Sequence, residues 1–221
     1  DWVRGELIGR GSFGSVNLAI PTISNGAPPL MAVKSCWSPH SAALRREKEV
    51  LTVLADCPQI IRCFGDCWNE EDGESLYSVL LEYAPGGNMA DRVRNPLSGA
   101  GGCGGGLPES QVRRYTGSIL KALSHVHGKG LVHCDVKLQN ILLFPWQNGD
   151  RVEDDVKIAD FGLCTTAGER RGFEIRGTPL YMSPESVTSG EYEPPADIWA
   201  LGCAVAEMVT GKPAWRCEAG T

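Results

Sequence analysis

Asp135, Lys137 and Asn140 stand at the spacing Asp-x-Lys-x-x-Asn within HCDVKLQN, His133 to Asn140. A carboxylate there can accept a proton from a substrate hydroxyl, an ammonium can neutralise a transferring phosphoryl group, and a carboxamide oxygen can ligate a metal ion. A loop aspartate is more often a turn former. Here, however, the spacing runs straight into a short apolar strand, Ile141 to Phe144. Twenty residues after Asn140 comes Asp160-Phe161-Gly162. Asp160 is a candidate ligand for magnesium bridging phosphates, and Phe161 a candidate to pack inward.

A second set lies near the start of the chain. GRGSFGSV carries Gly9-x-Gly11-x-x-Gly14. The same glycines open a dinucleotide-binding unit, but there the loop runs from strand into helix. Here an alternating, β-branched segment follows, Val16, Leu18 and Ile20, which makes a strand-loop-strand flap whose amides can cover phosphates. MAVK places Lys34 on an apolar strand. Such a lysine can hold the α- and β-phosphates if an acid orients it, whereas a lone strand lysine usually points to solvent. In RREKEVL, Glu47 sits three residues after Leu44 and four before Leu51, on the inward side of a helix, and Glu49 lies about 200° around from it. Glu47 is the expected partner.

The elements that must position these residues follow from periodicity. Strands are expected over 2–9, 16–20, 30–35, 60–64 and 76–83, with a helix over 41–56 and the acidic turn NEEDGE between the last two strands. APGGN reads as a link, and SGAGGCGGG (98–106) as a flexible surface loop. Val112, Tyr115, Ile119, Leu123 and Val126 mark one face of a helix over 109–129. A short strand is expected at 156–159. A final buried helix spans 196–209, with Gly211 as its C-cap and Pro213 beyond.

The chain has 221 residues, enough for one large domain or two lobes, with 42% hydrophobic and 22% charged residues. A net charge of -6 argues against nucleic acid or an anionic membrane as the main partner. No apolar run is long enough to span a bilayer. Nine cysteines, an odd number with no Cys-x-x-Cys pair, fit a reducing compartment better than a disulfide framework or a zinc site. Cys57, Cys63 and Cys67 read as small buried hydrophobes. Nothing in the sequence specifies an oligomeric state.

The ordered set GRGSFGSV, MAVK, a helix glutamate, HCDVKLQN, Asp-Phe-Gly and Ser183-Pro184-Glu185 resembles the protein kinase signature over residues 1 to about 211. Lys137 and GTPLYMSPE resemble the serine/threonine branch. WVRGELIGRGSFGSVNLA, CPQIIRCFGD, LLEYAPGGNMADRV and VHCDVKLQNILL are similar to plant mitogen-activated protein kinase kinase kinases. The resemblance implies an α+β, two-lobed fold: a mainly β lobe with one helix over 1–84 and a mainly helical lobe over 85–221. It implies ATP and Mg2+ as cofactors, a downstream protein kinase as substrate, and a cytoplasmic or nuclear setting. Gly9, Gly11, Ser12, Phe13 and Gly14 would cover the nucleotide. Val16 and Ala32 would roof the adenine, Leu143 would floor it, Leu81 would be the gatekeeper, and the backbone of Glu82 and Ala84 would bind the base. Asp135, Lys137, Lys34 and Glu47 would be the catalytic set, and Asn140 and Asp160 the metal ligands. Leu163 would favour serine, Thr178 would bond the catalytic loop, and Asp197 would accept its backbone amides.

Two departures qualify this. Cys134 stands where kinases of this family often carry an arginine that pairs with a phosphate on the activation segment, and a neutral thiol cannot do so. In keeping, AGERRGFEIRG (167–177) contains no Ser, Thr or Tyr. Activity independent of activation-segment phosphorylation is therefore expected. A redox role for Cys134 would require an electropositive, accessible site. The chain also stops at Thr221, where such domains continue with helices that cover the 196–209 helix and supply an arginine for Glu185. A fragment or truncated form of low solubility is expected. The competing class is a non-catalytic pseudokinase or scaffold, whose usual mark is loss of the strand lysine, loop aspartate or metal aspartate. Lys34, Asp135, Asn140 and Asp160 are all present.

Overall fold

The structure, a computed structural model, describes residues 2–11, 14–22, 30–71, 73–95, 105–169 and 175–215. The fold is mixed α+β and divides into two compact units, Asp1–Tyr83 and Ala84–Thr221.

The first unit is built on an antiparallel sheet of β1 (Trp2–Gly11), β2 (Gly14–Pro21), β3 (Met31–Trp37), β4 (Cys63–Glu71) and β5 (Glu74–Glu82), in the order β1-β2-β3-β5-β4. Side chains alternate across a strand, so β3 sorts its residues between two faces. Val33 and Met31 are buried on one face with Ala19, against Trp2 and Leu80. The other face carries Ala32 and Lys34, opposite Leu81 and Val79 of β5. Helix α1 (Ser41–Val53) buries Leu44, Glu47, Val50 and Leu51 as one stripe and packs against β3, β4 and β5. Each fully buried leucine contributes about 1.5–3 kcal/mol.

Two expected boundaries are corrected here. The strand expected at 60–64 starts only at Cys63, because Leu54, Cys57 and Ile60 are joined by successive turn hydrogen bonds and Ile60 and Ile61 are buried within that turn. NEEDGE is mostly strand: Asn69, Glu70 and Glu71 pair with Leu76, Ser75 and Glu74. Glu70, Glu71 and Glu74 stay exposed, so the ladder forms at no desolvation cost to them.

The second unit contains α2 (Met89–Arg94), α3 (Glu109–Gly128), β6 (Leu131–Val132), β7 (Ile141–Asn148), β8 (Arg151–Ile158), β9 (Thr165–Thr166), α4 (Pro184–Ser189) and α5 (Pro194–Thr210). α3 buries the five residues its periodicity marks, plus Ala122. α5 ends at Gly211, whose φ of 70° and amide bonded to the Glu207 carbonyl make the expected C-cap. Its inner side packs on α3, while Ile198, Trp199 and Val209 are exposed. Glu185 is exposed and makes no ion pair among the described residues.

β7 and β8 form a hairpin far longer than the segments expected at 141–144 and 156–159, closing through Gly149 and Asp150. Its polar outer half is tied down by tertiary bonds: buried Asp154 accepts from Arg92 at 2.7 Å and from Tyr115 at 3.4 Å, and its carbonyl accepts from Arg114. The stretch 98–106 was expected to be a surface loop. Residues 98–104 lie outside the described ones, but Gly105–Leu107 dock on the end of α5, where the Leu107 amide donates to the Met208 carbonyl at 2.7 Å. No disulfide occurs among the described residues. Cys57 is buried as expected, whereas Cys63 and Cys67 are half-buried.

Candidate active site

β6 leads into the loop His133–Lys137, and a 3-10 turn, Leu138–Asn140, returns it to β7. Three bonds close a triangle there. Lys137 Nζ donates to Asp135 Oδ2 at 2.7 Å and to Thr178 Oγ1 at 2.8 Å, and Thr178 Oγ1 donates to Asp135 Oδ1 at 2.8 Å. Asn140 Nδ2 donates to the Asp135 carbonyl and to Oδ2 at 2.8 and 3.0 Å. Because its nitrogen is committed to Asp135, Asn140 has Oδ1 as the atom that could hold a metal. The Ala159 amide donates to the Asn140 carbonyl at 2.9 Å, which fixes the start of Asp160-Phe161-Gly162 beside it. Asp160 has φ 64° and Cys134 φ 68°, left-handed conformations that cost about 1–3 kcal/mol each for a non-glycine residue. Cys134 directly precedes Asp135, and Asp160 opens Asp160-Phe161-Gly162.

The loop is held from below. Asp197, 1% exposed in the first turn of α5, accepts the amides of His133 and Cys134 at 2.8 and 3.0 Å and His127 Nε2 at 2.8 Å. His133 is fully buried, and its Nδ1 accepts the Asp135 amide at 3.1 Å. A ring nitrogen that accepts carries no proton, so Nε2 bears the hydrogen and donates to the Ala159 carbonyl at 3.2 Å. Phe161 packs edge-on against this ring with centroids 4.6 Å apart and is fully buried. His127 and His133 are supporting residues that sequence reasoning missed. Only the histidine in HCDVKLQN carried a local signal for one of them.

In the first unit, Lys34 Nζ donates to Glu47 Oε2 at 2.7 Å, with the glutamate side chain 3% exposed, and Glu49 is exposed. Removing one partner of so buried a pair costs roughly 3–5 kcal/mol. Register places Val16 opposite Lys34 and Ala32 opposite Leu81, so these four share a sheet face with the ion pair. The Glu82 amide donates to the Arg62 carbonyl at 2.8 Å. Gly9 pairs with Val16 and Gly11 with Gly14 at the β1–β2 end, while Ser12 and Phe13 lie outside the described residues. Ala84 and Leu143 belong to the second unit. There the Gly86 amide donates to the Leu143 carbonyl at 3.0 Å, and the Leu143 amide to the Gly87 carbonyl at 2.9 Å. Leu163 is half-buried.

The Cys134 thiol is pushed well up, first by burial and then by the Asp197 carboxylate, and its Sγ turns back to within 3.5 Å of the Val132 carbonyl. This is the opposite of the electropositive setting a reactive thiolate needs. Among the described residues no group of three or more His, Cys, Asp or Glu could cage a metal. Asn140 and Asp160 nevertheless fit magnesium, a hard cation commonly held by one or two protein oxygens together with substrate phosphates. Among the described residues no helix is long and apolar enough to cross a membrane.

The protein kinase domain family model matches residues 2–221. Mitogen-activated protein kinase kinase kinase 20 of Arabidopsis thaliana is 49% identical over 227 residues, covering 100% of this chain and 63% of that protein. Mitogen-activated protein kinase kinase kinase 17 of the same plant is 36% identical over 216 residues, 97% of this chain and 53% of its own length. Mitogen-activated protein kinase kinase kinase 3 of Mus musculus is 33% identical over 229 residues, 97% of this chain and 33% of that protein. The chain thus spans less than two thirds of the length of each of these relatives.

Proposed function

Because the chain belongs to the protein kinase domain family, we propose that it transfers the γ-phosphoryl group of ATP to a serine or threonine hydroxyl of a protein. The observation that carries this reading is the Asp135–Lys137–Thr178 triangle with Asn140 bonded into it. Asp135 takes the proton of the attacking hydroxyl as the new oxygen–phosphorus bond forms and the β,γ-bridging bond breaks, with ADP leaving. Lys137, bonded to the same carboxylate, places its positive charge beside the transferring group. Asn140 and Asp160 would hold magnesium, which when bound neutralises charge on the phosphates. Lys34, oriented by Glu47, would hold the α- and β-phosphates beneath Gly9, Gly11, Ser12, Phe13 and Gly14. The adenine set would be Val16, Ala32, Leu81 and the Glu82 backbone in the first unit, with Leu143 and the Ala84 backbone in the second. The relatives named mitogen-activated protein kinase kinase kinases support a downstream protein kinase as the substrate.

Asp135→Asn tests the reading. Transfer to a protein substrate should fall by roughly two to four orders of magnitude, the span of a general base. Nucleotide affinity, measured by calorimetry, should stay within about twofold, since the change leaves the phosphate ligands intact. Substantial surviving transfer would remove Asp135 from the base role.

A further inference from the structure

The catalytic triangle joins two separate stretches of chain, and each is fixed from the short stretch that spans the α4–α5 link and the first turn of α5. Asp197 holds the catalytic-loop side through the amides of His133 and Cys134. Five residues earlier, Tyr192 holds the other side: its hydroxyl accepts the Arg176 amide at 2.6 Å, two residues before Thr178. Tyr192 is 6% exposed, on the link between α4 and α5. That link is itself braced, because Ser183 caps α4 and Ser186 Oγ donates to the Glu191 carbonyl at 2.9 Å. Between Arg176 and Thr178 the chain passes hard against the catalytic loop. Gly177 has φ 105°, and a side chain there would stand 2.5 Å from the Cys134 carbonyl.

The position next to the base offers the segment no charge. Cys134 carries a neutral side chain turned toward β6, so what it presents to Gly177 is backbone carbonyl. Arg176, Thr178 and Tyr192 line one small cavity with Cys134, Asp135 and Asp197. We propose that Tyr192 is a positioning residue for phosphoryl transfer, its hydroxyl anchoring Arg176 so that Thr178 reaches Asp135 and Lys137 without any phosphate on the activation segment. This rests on the kinase reading above. The tyrosine touches neither substrate nor reacting atoms and acts through Thr178.

The test compares the wild-type chain with Tyr192→Phe, which keeps the ring and removes the hydroxyl that accepts the Arg176 amide. Both are treated with a broad phosphatase, cleared of it, and assayed with ATP and a generic protein substrate. Wild type should transfer phosphate after that treatment as before. Tyr192→Phe should lower kcat roughly 3- to 10-fold, the effect of losing one hydrogen bond. KM for ATP should be unchanged, and amide exchange should quicken at 175–178 but not in α3. Unchanged kcat in the variant would overturn the proposal. So would a parallel loss of ATP affinity and melting temperature, which would mark Tyr192 as merely structural. Wild type active only before phosphatase treatment would also overturn it while leaving the kinase reading intact. Wild type inactive throughout would overturn that reading and this proposal with it.

Discussion

Among single residues, the hydroxyls of the activation segment bear on whether the proposed transfer needs a phosphate there. Thr178 is bonded to Asp135 and Lys137, and a phosphate there would break the triangle. Thr165 is 2% exposed and donates to Glu169 Oε2 at 2.7 Å, so its oxygen is turned to a carboxylate that would repel a phosphate. Thr166 is exposed, in β9, and 167–177 contains no hydroxyl at all. The double variant Thr165→Ala/Thr166→Ala should therefore keep transfer within about threefold of wild type, the loss of one hydrogen bond being the larger part of its effect. An activity lost while far-ultraviolet circular dichroism stays native would show that phosphorylation there is required. HCDVKLQN, Asp-Phe-Gly and Lys34 announce themselves because the chemistry proposed for them needs fixed residue types at fixed spacing. Tyr192 does not, because its partner is a main-chain amide 16 residues upstream, and any tyrosine in a connector looks alike in sequence.

At the scale of elements, what was legible was periodicity and what was not was tertiary anchoring. The α3 stripe and the α1 stripe containing Glu47 follow from 3.6-residue spacing. The outer half of the β7–β8 hairpin, rich in Asp, Glu, Asn and Gln, has weak strand propensity and is stabilised by Asp154 with Arg92, Arg114 and Tyr115. The same holds for Gly105 and Gly106, which read as surface loop yet dock with Leu107 on α5. Two glycines separate these cases experimentally. A methyl at Gly106 would stand 1.9 Å from the Val209 carbonyl oxygen, so Gly106→Ala must displace backbone. A cost of roughly 2 kcal/mol or more is expected, a fall of about 4–8 °C in melting temperature. Gly117 is exposed in α3 with nothing within 4 Å of an added methyl, so Gly117→Ala should stabilise by about 0.5–1 kcal/mol. Melting curves of the two variants should shift in opposite directions. A neutral Gly106→Ala would mean that 105–107 is the loose loop its composition suggests.

For the whole molecule, the resolved ionisation shifts are unevenly divided between acid and alkali. The thiols of Cys36, Cys63, Cys67 and Cys134 and the phenols of Tyr77, Tyr115 and Tyr181 are all pushed up, in each case chiefly by burial. On the acid side Asp66 is held down, because hydrogen bonds from Lys48 and Tyr77 outweigh the burial that would raise it. The sign follows from proton binding. Between the unfolded thiol value, about 8.5, and the higher folded values, the unfolded chain has released protons that the folded chain keeps. The unfolded state then binds fewer protons, so stability falls as pH rises. Unfolded tyrosines join above about 10. The formal charge of -6 at pH 7 works in the same direction, since each further ionisation adds to an existing excess of negative charge. Under reducing conditions the melting temperature should stay flat from about pH 6.5 to 8 and decline steadily from about pH 8.5 to 10.5. Added salt should restore only the part due to charge repulsion, because screening does not reach the cost of ionising a buried thiol. A melting temperature that holds or rises to pH 10 would mean that these side chains are open to water in the folded chain, and with them the buried setting that keeps Cys134 a neutral neighbour of Asp135.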